Sequence, residues 1–262
     1  MLDALAHSGP LASAAALVLA MLALWARSVA RRDVSIVDLF WGPGFALVAA
    51  VSAAVSGSGE PRAALVVALV SLWALRLGVY LTWRNWGQPE DFRYQSIRAR
   101  FDPGFWYKSL YVVFGFQGLL IFVVSAPVQA AVTQPGAPLG PLDAVGAALW
   151  AVGLFFEAVG DAQLARFKAD PSNRGQVMDR GLWRYTRHPN YFGDFCVWWG
   201  LYLLAVPVAP WTVFAPLIMS GLLLKVSGVA LLERTITERR PAYAEYIRRT
   251  SAFFPWPPKE GA

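Results

Sequence analysis

The fold is decided by residues 62–83, RAALVVALVSLWALRLGVYLTW, an apolar run whose interior carries one charge, Arg76. A helix of about 20 apolar residues crosses the ~30 Å hydrocarbon core of a bilayer. Similar runs occupy 11–26, 36–56, 109–132, 142–165, 191–206 and 209–231. At 56% hydrophobic and 15% charged residues, the composition is unlike that of ordinary soluble domains. We therefore predict an all-α integral membrane protein with about seven transmembrane helices in a single membrane domain.

Two features leave the helix count open. The run 11–26 could be a signal peptide, but its arginines follow it rather than precede it, so we expect it to remain as a helix. The runs 191–206 and 209–231 are joined through Pro207 and Pro210, which predicts a tight hairpin. A count of six helices is the alternative.

The basic residues predict the orientation. Twenty of the 23 Lys and Arg residues lie in four segments, 27–35, 84–108, 166–190 and 232–262. The intervening loops, such as 133–141, hold none. Short cytoplasmic loops carry the excess of Lys and Arg, so seven helices would place the N-terminus outside and the C-terminus in the cytoplasm.

Composition and missing motifs exclude several classes of function. The net charge of +6 is dispersed among membrane helices, which suits anionic membrane lipids better than nucleic acid. The single cysteine, Cys196, allows no internal disulfide. The chain has no Gly-x-Gly-x-x-Gly fingerprint, no Walker A loop and only two histidines, which disfavours a Rossmann domain, an ATPase core and a His-rich metal site. No obligate protein partner is indicated.

The segment 180–194 concentrates hydrogen-bond donors in the run Arg-Gly-Leu-Trp-Arg-Tyr-Thr-Arg-His-Pro-Asn-Tyr-Phe-Gly-Asp. Arg187 and His188 supply donors, and Asn190 can bond an amide or a ribose. A helix begins here, and its free N–H groups and positive dipole end favour phosphate. A cytoplasmic anchor would explain the arginines, but not the His-Pro-Asn-Tyr run or Asp194 inside a span.

A second polar group lies at the cytoplasmic end of the run 142–165. Glu157 and Asp161 are four residues apart and share a helix face, at a depth where ionisable groups usually face a cavity or a partner. Lys168 and Arg174 could clamp phosphates. An internal network of ion pairs between neighbouring helices would use the same residues, and both interpretations stay open.

In the N-terminal half, Asp38 lies a few residues into the second run, beside the Gly42-Pro-Gly44 break that would kink the helix or let backbones approach closely. A protonated carboxyl held there can donate a hydrogen bond to a substrate carbonyl. The competing interpretation is that Asp38 caps a helix or pairs with Arg76. Tyr80, one turn beyond Arg76, could bond a polar substrate group beside Asp38.

With these residues in view, the chain resembles the steroid 5α-reductase family, specifically its bacterial branch. The resemblance covers nearly the whole chain. It is carried by the Gly181-Leu-Trp-Arg-Tyr-Thr-Arg-His-Pro-Asn-Tyr-Phe-Gly-Asp194 run, and by the Val-Asp-Leu-Phe-Trp-Gly and Glu-Asp-Phe-Arg-Tyr pair. It implies a substrate pocket in residues 1–108, an NADPH-binding half in residues 109–262, and a multi-pass protein of the bacterial inner membrane.

The resemblance also implies roles for single residues. Asp38 stands for the family's acidic residue that polarises the substrate ketone, and Trp73 falls where mammalian members have its tyrosine partner, which leaves Tyr80 as the substitute. The catalytic pair is therefore Asp38 and Tyr80. The cofactor-binding residues are Arg93, Tyr94, Asp161, Lys168, Asn173, Arg174, Arg187, His188, Asn190, Tyr191, Asp194 and Glu233.

The implied reaction is NADPH-dependent reduction of the C=C bond of a conjugated enone. A Δ4-3-oxosteroid is the model substrate, and another isoprenoid or lipid enone is an alternative. The same Arg-His-Pro-Asn-Tyr motif and the tail 233–246 also resemble membrane methyltransferases of the isoprenylcysteine type, which use S-adenosylmethionine. A non-catalytic lipid-binding scaffold is a third reading, and it predicts no nucleotide affinity.

Overall fold

The computed structural model describes residues 2–57, 59–134, 138–226 and 243–259. All regular structure in these ranges is helical, which confirms the all-α prediction for them. The chain forms two compact units, Met1–Leu139 with Ala205–Thr212, and Gly140–Leu204 with Val213–Ala262. The first unit thus extends beyond residue 108, where we expected the substrate half to end.

Eight helices make up the described residues of the first unit. They are α1 Leu2–Arg31, α2 Ile36–Leu39, α3 Trp41–Ser56, α4 Pro61–Asn85, α5 Phe92–Phe101, α6 Phe105–Ser109, α7 Phe116–Val124 and α8 Ala126–Thr133. A π-helical segment, Leu110–Gly115, continues α6 into α7. Pro61 occupies the first turn of α4, where its missing N–H costs nothing. The chain leaves α3 through Gly57, which has a left-handed backbone.

The described part of the second unit has four further helices. They are α9 Pro141–Ala169, α10 Pro189–Ala205, α11 Phe214–Gly221 and α12 Tyr243–Arg249, with α10 ending at the first residue assigned to the other unit. Short 3₁₀ turns cover Pro171–Asn173 and Gly181–Arg184, and a π-helical segment covers Leu222–Val226. A third 3₁₀ turn, Pro210–Val213, lies at the boundary between the two units. The residues 255–258 are not helical, as their three prolines predict.

Among the described residues, four helices are long and apolar enough to cross a membrane: Ser8–Arg31, Pro61–Asn85, Phe105–Val124 and Pro141–Ala169. They coincide with four of the predicted spans, and their length and composition are those of a membrane protein. The tight turn predicted between the last two runs is also present, with the Ala209 N–H bonded to the Ala205 carbonyl at 2.7 Å. The end of the last run, residues 227–231, lies outside the described ranges.

Two of the predicted spans are interrupted at prolines. The run 36–56 divides between α2 and α3, and α2 ends at Leu39. Pro43 has no N–H for the carbonyl four residues earlier, and its ring crowds that carbonyl, which belongs to Leu39. The run 109–132 breaks at Ser125 because Pro127 has the same effect on Val123.

The predicted close approach at the Gly-Pro-Gly break is confirmed. A Cβ atom on Gly42 would lie 3.1 Å from the Ala74 carbonyl oxygen in α4. On α4, a Cβ atom on Gly78 would lie 3.1 Å from Cγ of Pro43. Small residues thus let α3 and α4 pack backbone to backbone, as is common between membrane helices.

Helices α9 and α10 approach even more closely, through glycines at heptad spacing. A Cβ atom on Gly153 would lie 2.5 Å from the Gly193 carbonyl oxygen, and a Cβ atom on Gly193 would lie 2.5 Å from that of Gly153. Two turns further along, a Cβ atom on Gly146 would lie 2.8 Å from the Gly200 carbonyl oxygen, and a Cβ atom on Gly200 would lie 2.7 Å from that of Gly146. The spacing fixes the register between the two helices.

We predict that Gly153→Ala lowers the free energy of unfolding in detergent by about 1–3 kcal/mol, because a methyl group there overlaps the α10 backbone. Gly221→Ala is the matched control, since within the described ranges no atom beyond its own stretch of helix lies within 4 Å of the position of its Cβ. The free energy of unfolding of the control should be unchanged or up to about 1 kcal/mol higher, because alanine favours a helix more than glycine does. Equal stabilities in denaturant titrations of the two variants would contradict the packing.

Candidate functional site

The carboxylate of Asp38 is the centre of a polar cluster in the first unit. Asp38 lies in α2, and its side chain is 20% exposed. The hydroxyl of Tyr94 donates to Asp38 Oδ1 at 2.5 Å. The guanidinium of Arg93 donates to Asp38 Oδ2 at 2.8 Å. Both oxygens of the carboxylate therefore accept hydrogen bonds.

Arg93 joins two carboxylates. Its Nε donates to Asp91 Oδ1 at 2.9 Å, and its Nη2 donates to Asp91 Oδ2 at 3.1 Å as well as to Asp38. Asp91 also caps α5, because the same Oδ1 accepts the Arg93 backbone N–H at 2.9 Å. The cap fixes the start of α5, so consecutive residues Arg93 and Tyr94 both reach Asp38.

Gln117 of α7 completes the cluster from another helix. Its amide nitrogen donates to the Tyr94 hydroxyl at 3.0 Å and to Asp38 Oδ1 at 3.3 Å. An amide oxygen in that place would face two acceptors, so the contact fixes the orientation of the amide. The Tyr94 hydroxyl is held between a donor and an acceptor.

A second contact holds α5 against the loop between α1 and α2. The carboxylate of Glu90 accepts the Val34 N–H at 2.9 Å and the Arg98 guanidinium at 2.8 Å. Arg98 also donates to the Arg32 carbonyl at 3.3 Å, and its guanidinium lies over the ring of Phe105 at 4.7 Å. The loop that leads into α2, and so to Asp38, is thereby bonded to Glu90 and Arg98.

The protonation of the cluster follows from these contacts. Burial raises the pKa of the Tyr94 hydroxyl, and the charge of Asp38 raises it further. Burial opposes the charge of Arg93, but the hydrogen bond to Asp91 and the charges of Asp38 and Asp91 raise the pKa of Arg93 overall. Burial likewise acts against the Asp91 carboxylate, but the hydrogen bonds from Arg93 lower the pKa of Asp91. At neutral pH, Tyr94 therefore keeps its proton beside a charged guanidinium.

The predicted catalytic tyrosine, Tyr80, lies on α4. Its ring is flanked by the guanidinium groups of Arg76 and Arg84, at 5.6 and 5.7 Å from the ring centroid. Trp73, on the same helix, is fully buried and packs edge-on against Phe45 at 5.8 Å. The tyrosine that donates to Asp38 is Tyr94, which we had expected to bind the cofactor together with Arg93.

The second unit holds a separate polar group where α9 and α10 meet. The Asn190 amide donates to Asp161 Oδ1 at 3.5 Å. Asp161 and Glu157 are buried on one face of α9, as their spacing predicts. The Gly160 carbonyl accepts the indole N–H of Trp183 at 3.0 Å, which holds the following loop against α9. Asp194, one turn beyond Asn190, is half-buried on α10.

Backbone carbonyls of the C-terminal segment accept hydrogen bonds from the loop that carries the His-Pro-Asn-Tyr motif. The guanidinium of Arg187 is buried and donates to the carbonyls of Ile247, at 3.1 Å, and Thr250. The hydroxyl of Thr186 donates to the Phe253 carbonyl at 2.8 Å. Arg187 therefore orders the loop around the motif through these hydrogen bonds.

The other candidate cofactor residues have varied surroundings. His188 is buried, and its ring stacks on that of Tyr191 with centroids 5.5 Å apart. Asn173 donates to the Phe167 carbonyl at 3.1 Å. Lys168 and Arg174 are exposed. Glu233 lies outside the described residues.

Sequence reasoning missed Gln117 and the partners of Arg93 and Tyr94. Gln117 left a signal, because it is an amide within the apolar run 109–132, where polar side chains usually have a partner. The contact between Tyr94 and Asp38 joins residues 56 positions apart. No local spacing predicts it.

The fold and the two polar clusters describe a helical chain with long apolar helices and buried ionisable groups. The family model described as "Protein of unknown function (DUF1295)" matches residues 24–250. The chain therefore belongs to the DUF1295 family.

Two relatives extend this comparison. The chain is 26% identical over 266 residues to an uncharacterized protein of Schizosaccharomyces pombe, which covers 88% of this chain and 75% of the yeast protein. It is 36% identical over 80 residues to a probable O-methyltransferase of Ustilaginoidea virens, which covers 30% of this chain and 28% of that protein. No solved structure matches the chain.

Proposed function

We propose that the protein is a membrane-embedded, NADPH-dependent reductase of the C=C bond of a conjugated enone, with Δ4-3-oxosteroids as model substrates. The observation that carries the proposal is the Tyr94 hydroxyl held at 2.5 Å from the Asp38 carboxylate. A neutral phenol beside an ordered carboxylate is suited to stabilise negative charge that develops on a carbonyl oxygen. The sequence motifs of the two units support the same assignment.

The contacts of Asp38 explain how the cluster would act. When a substrate carbonyl takes the hydrogen bond of Tyr94, Asp38 keeps its bonds from Arg93 and Gln117. The carboxylate would thus still accept two hydrogen bonds while the Tyr94 phenol donates to the substrate. Tyr94 is the donor to the carbonyl, and Asp38, Arg93 and Gln117 position it.

The chemistry of the second unit fits NADPH. Asn190 and Asp161 supply an amide and a carboxylate at one end of α9 and α10, groups that suit the amide and hydroxyls of a nucleotide. Lys168, in the last turn of α9, and Arg174, after it, are exposed and could bind phosphates. The bound cofactor supplies a hydride. The preference for NADPH over NADH rests on the family resemblance and on this excess of cations.

The reaction balances as an addition of hydride and proton. The hydride forms a bond to the β-carbon of the enone, and the C=C electron pair shifts toward the carbonyl oxygen. Tyr94 stabilises the charge on that oxygen. A proton from water or a side chain then bonds to the α-carbon, and the products are the saturated ketone and NADP⁺.

The test is NADPH oxidation by the detergent-purified protein with progesterone or testosterone. We expect turnover in the wild type, and losses of at least about 100-fold in kcat for Asp38→Asn and Tyr94→Phe, the range typical of removing one electrostatic contact at the reacting oxygen. Asn190→Ala should weaken NADPH binding. Tyr107→Phe, an exposed tyrosine of the same unit, is the matched control and should keep the wild-type rate.

The variants also separate the two tyrosines. Loss of turnover in Tyr80→Phe but not in Tyr94→Phe would return the donor role to Tyr80. Wild-type turnover in both Asp38→Asn and Tyr94→Phe would refute the role of the cluster. Circular dichroism of each variant confirms that the helices persist.

A membrane methyltransferase that uses S-adenosylmethionine is the second candidate, favoured by the local similarity to a probable O-methyltransferase. Methyl transfer needs no donor to a ketone, so Asp38→Asn should leave it nearly unchanged. Binding of S-adenosylmethionine without binding of NADPH, measured by calorimetry on the wild type, would replace the reductase with this function.

We further propose seven transmembrane helices in a bacterial inner membrane, with the N-terminus outside and the C-terminus in the cytoplasm. The distribution of Lys and Arg supports this orientation. A membrane-impermeant amine reagent should label Lys168 and Lys259 in inside-out vesicles and not in right-side-out vesicles, as read by peptide mass spectrometry. Labelling of Lys168 in sealed right-side-out vesicles would contradict it.

A further inference from the structure

The C-terminal segment of the second unit lines an open cavity that includes none of the residues of the polar group of α9 and α10. Its volume is about 280 Å³, and it is lined by Ile247, Arg248, Arg249, Thr250, Ser251, Trp256, Pro257 and Lys259. The Lys259 N–H bonds to the Arg249 carbonyl at 2.9 Å, which closes the segment on itself. The Trp256 N–H bonds to the Tyr185 carbonyl at 2.9 Å, which anchors the cavity to the motif loop.

The cavity is positively charged. Arg249 is neutralised, because its Nη2 lies 2.6 Å from Asp179 Oδ2. Arg248 and Lys259 are exposed, and neither forms an ion pair within the ranges that the structure describes. Two cations from opposite ends of the segment thus converge on one concave space, which favours an anion.

Exposed aromatic side chains adjoin these cations. The indole of Trp256, on the cavity wall, is 72% exposed, and the neighbouring ring of Phe254 is 56% exposed. Tryptophan is enriched where a membrane protein meets the headgroup layer. Basic side chains beside it attract anionic lipids, at about 1 kcal/mol for each Lys or Arg.

The volume limits the ligand. Pockets for drug-sized ligands begin at about 300 Å³, so this cavity of about 280 Å³ suits a headgroup phosphate and does not enclose a dinucleotide. The aromatic edge would leave the acyl chains outside, in the bilayer.

We propose that this cavity binds the phosphate headgroup of an anionic membrane phospholipid, with Arg248 and Lys259 contacting the phosphate and Trp256 lying at the headgroup level. The site depends on neither the reductase reaction nor its cofactor. Lipid bound here holds the C-terminal segment over the loop of the His-Pro-Asn-Tyr motif.

The experiment uses the full chain in detergent with phosphatidylglycerol brominated in its acyl chains, which quenches nearby tryptophan. The difference in emission between wild type and Trp256→Phe isolates the signal of Trp256. We expect quenching by this lipid and little by brominated phosphatidylcholine. In Arg248→Gln/Lys259→Gln, the half-saturating concentration should rise about 30-fold, the equivalent of two basic contacts.

Two further variants serve as controls. Arg27→Gln/Arg31→Gln removes the same charge from exposed arginines of α1 and should change the half-saturating concentration less than twofold. Arg248→Lys/Lys259→Arg keeps the charge and should keep binding. Equal weakening in both Gln double variants would overturn the site in favour of bulk charge. Binding of inorganic phosphate with the same variant dependence, without binding of the lipid, would overturn the lipid assignment.

Discussion

The hydrogen bonds to the Asp38 carboxylate are the interaction on which the first unit depends. A carboxylate shielded from water is costly unless donors surround it. Three donors from two other helices supply this need, two from α5 and one from α7. To bring them there, the chain after α4 turns back so that two side chains of α5 reach Asp38 in α2. The contacts that stabilise Asp38 therefore also hold the Tyr94 hydroxyl in place.

The arrangement around Asp38 bears on which group could donate to a ligand. The Asp38 carboxylate accepts hydrogen bonds from Arg93, Tyr94 and Gln117, whereas the Tyr94 phenol carries a proton. In our proposal Asp38 therefore orders the cluster, and Tyr94 is the donor to the substrate.

The second unit uses its most conspicuous motif partly for internal order. Arg187 and Thr186 bond to backbone carbonyls of the C-terminal segment, and Trp183 bonds to α9. Asn190 is left at the junction of α9 and α10, next to Asp161. A motif that looks like a set of ligand contacts in sequence is thus divided between residues that build the loop and residues that face the nucleotide in our proposal.

Much of the fold could be predicted from sequence, because a long apolar helix is recognisable from its local composition alone. The helix breaks at Phe40 and Ser125 follow from Pro43 and Pro127. Only the break near Pro43 was predicted. The glycines at heptad spacing in α9 and α10 could have been read in advance as a close helix pair. The partners of Asp38 could not, since Tyr94 and Gln117 reach it only through the packing of separate helices.

Deuteride transfer tests the central claim, that this chain reduces an enone, most directly. The purified protein would be incubated with progesterone and NADPH deuterated at both C4 positions, and the steroid product analysed by mass spectrometry. A dihydro product that carries one deuterium at the β-carbon, absent with Asp38→Asn, is the result we predict. A steroid recovered without reduction, or a reduced product without deuterium, would contradict it.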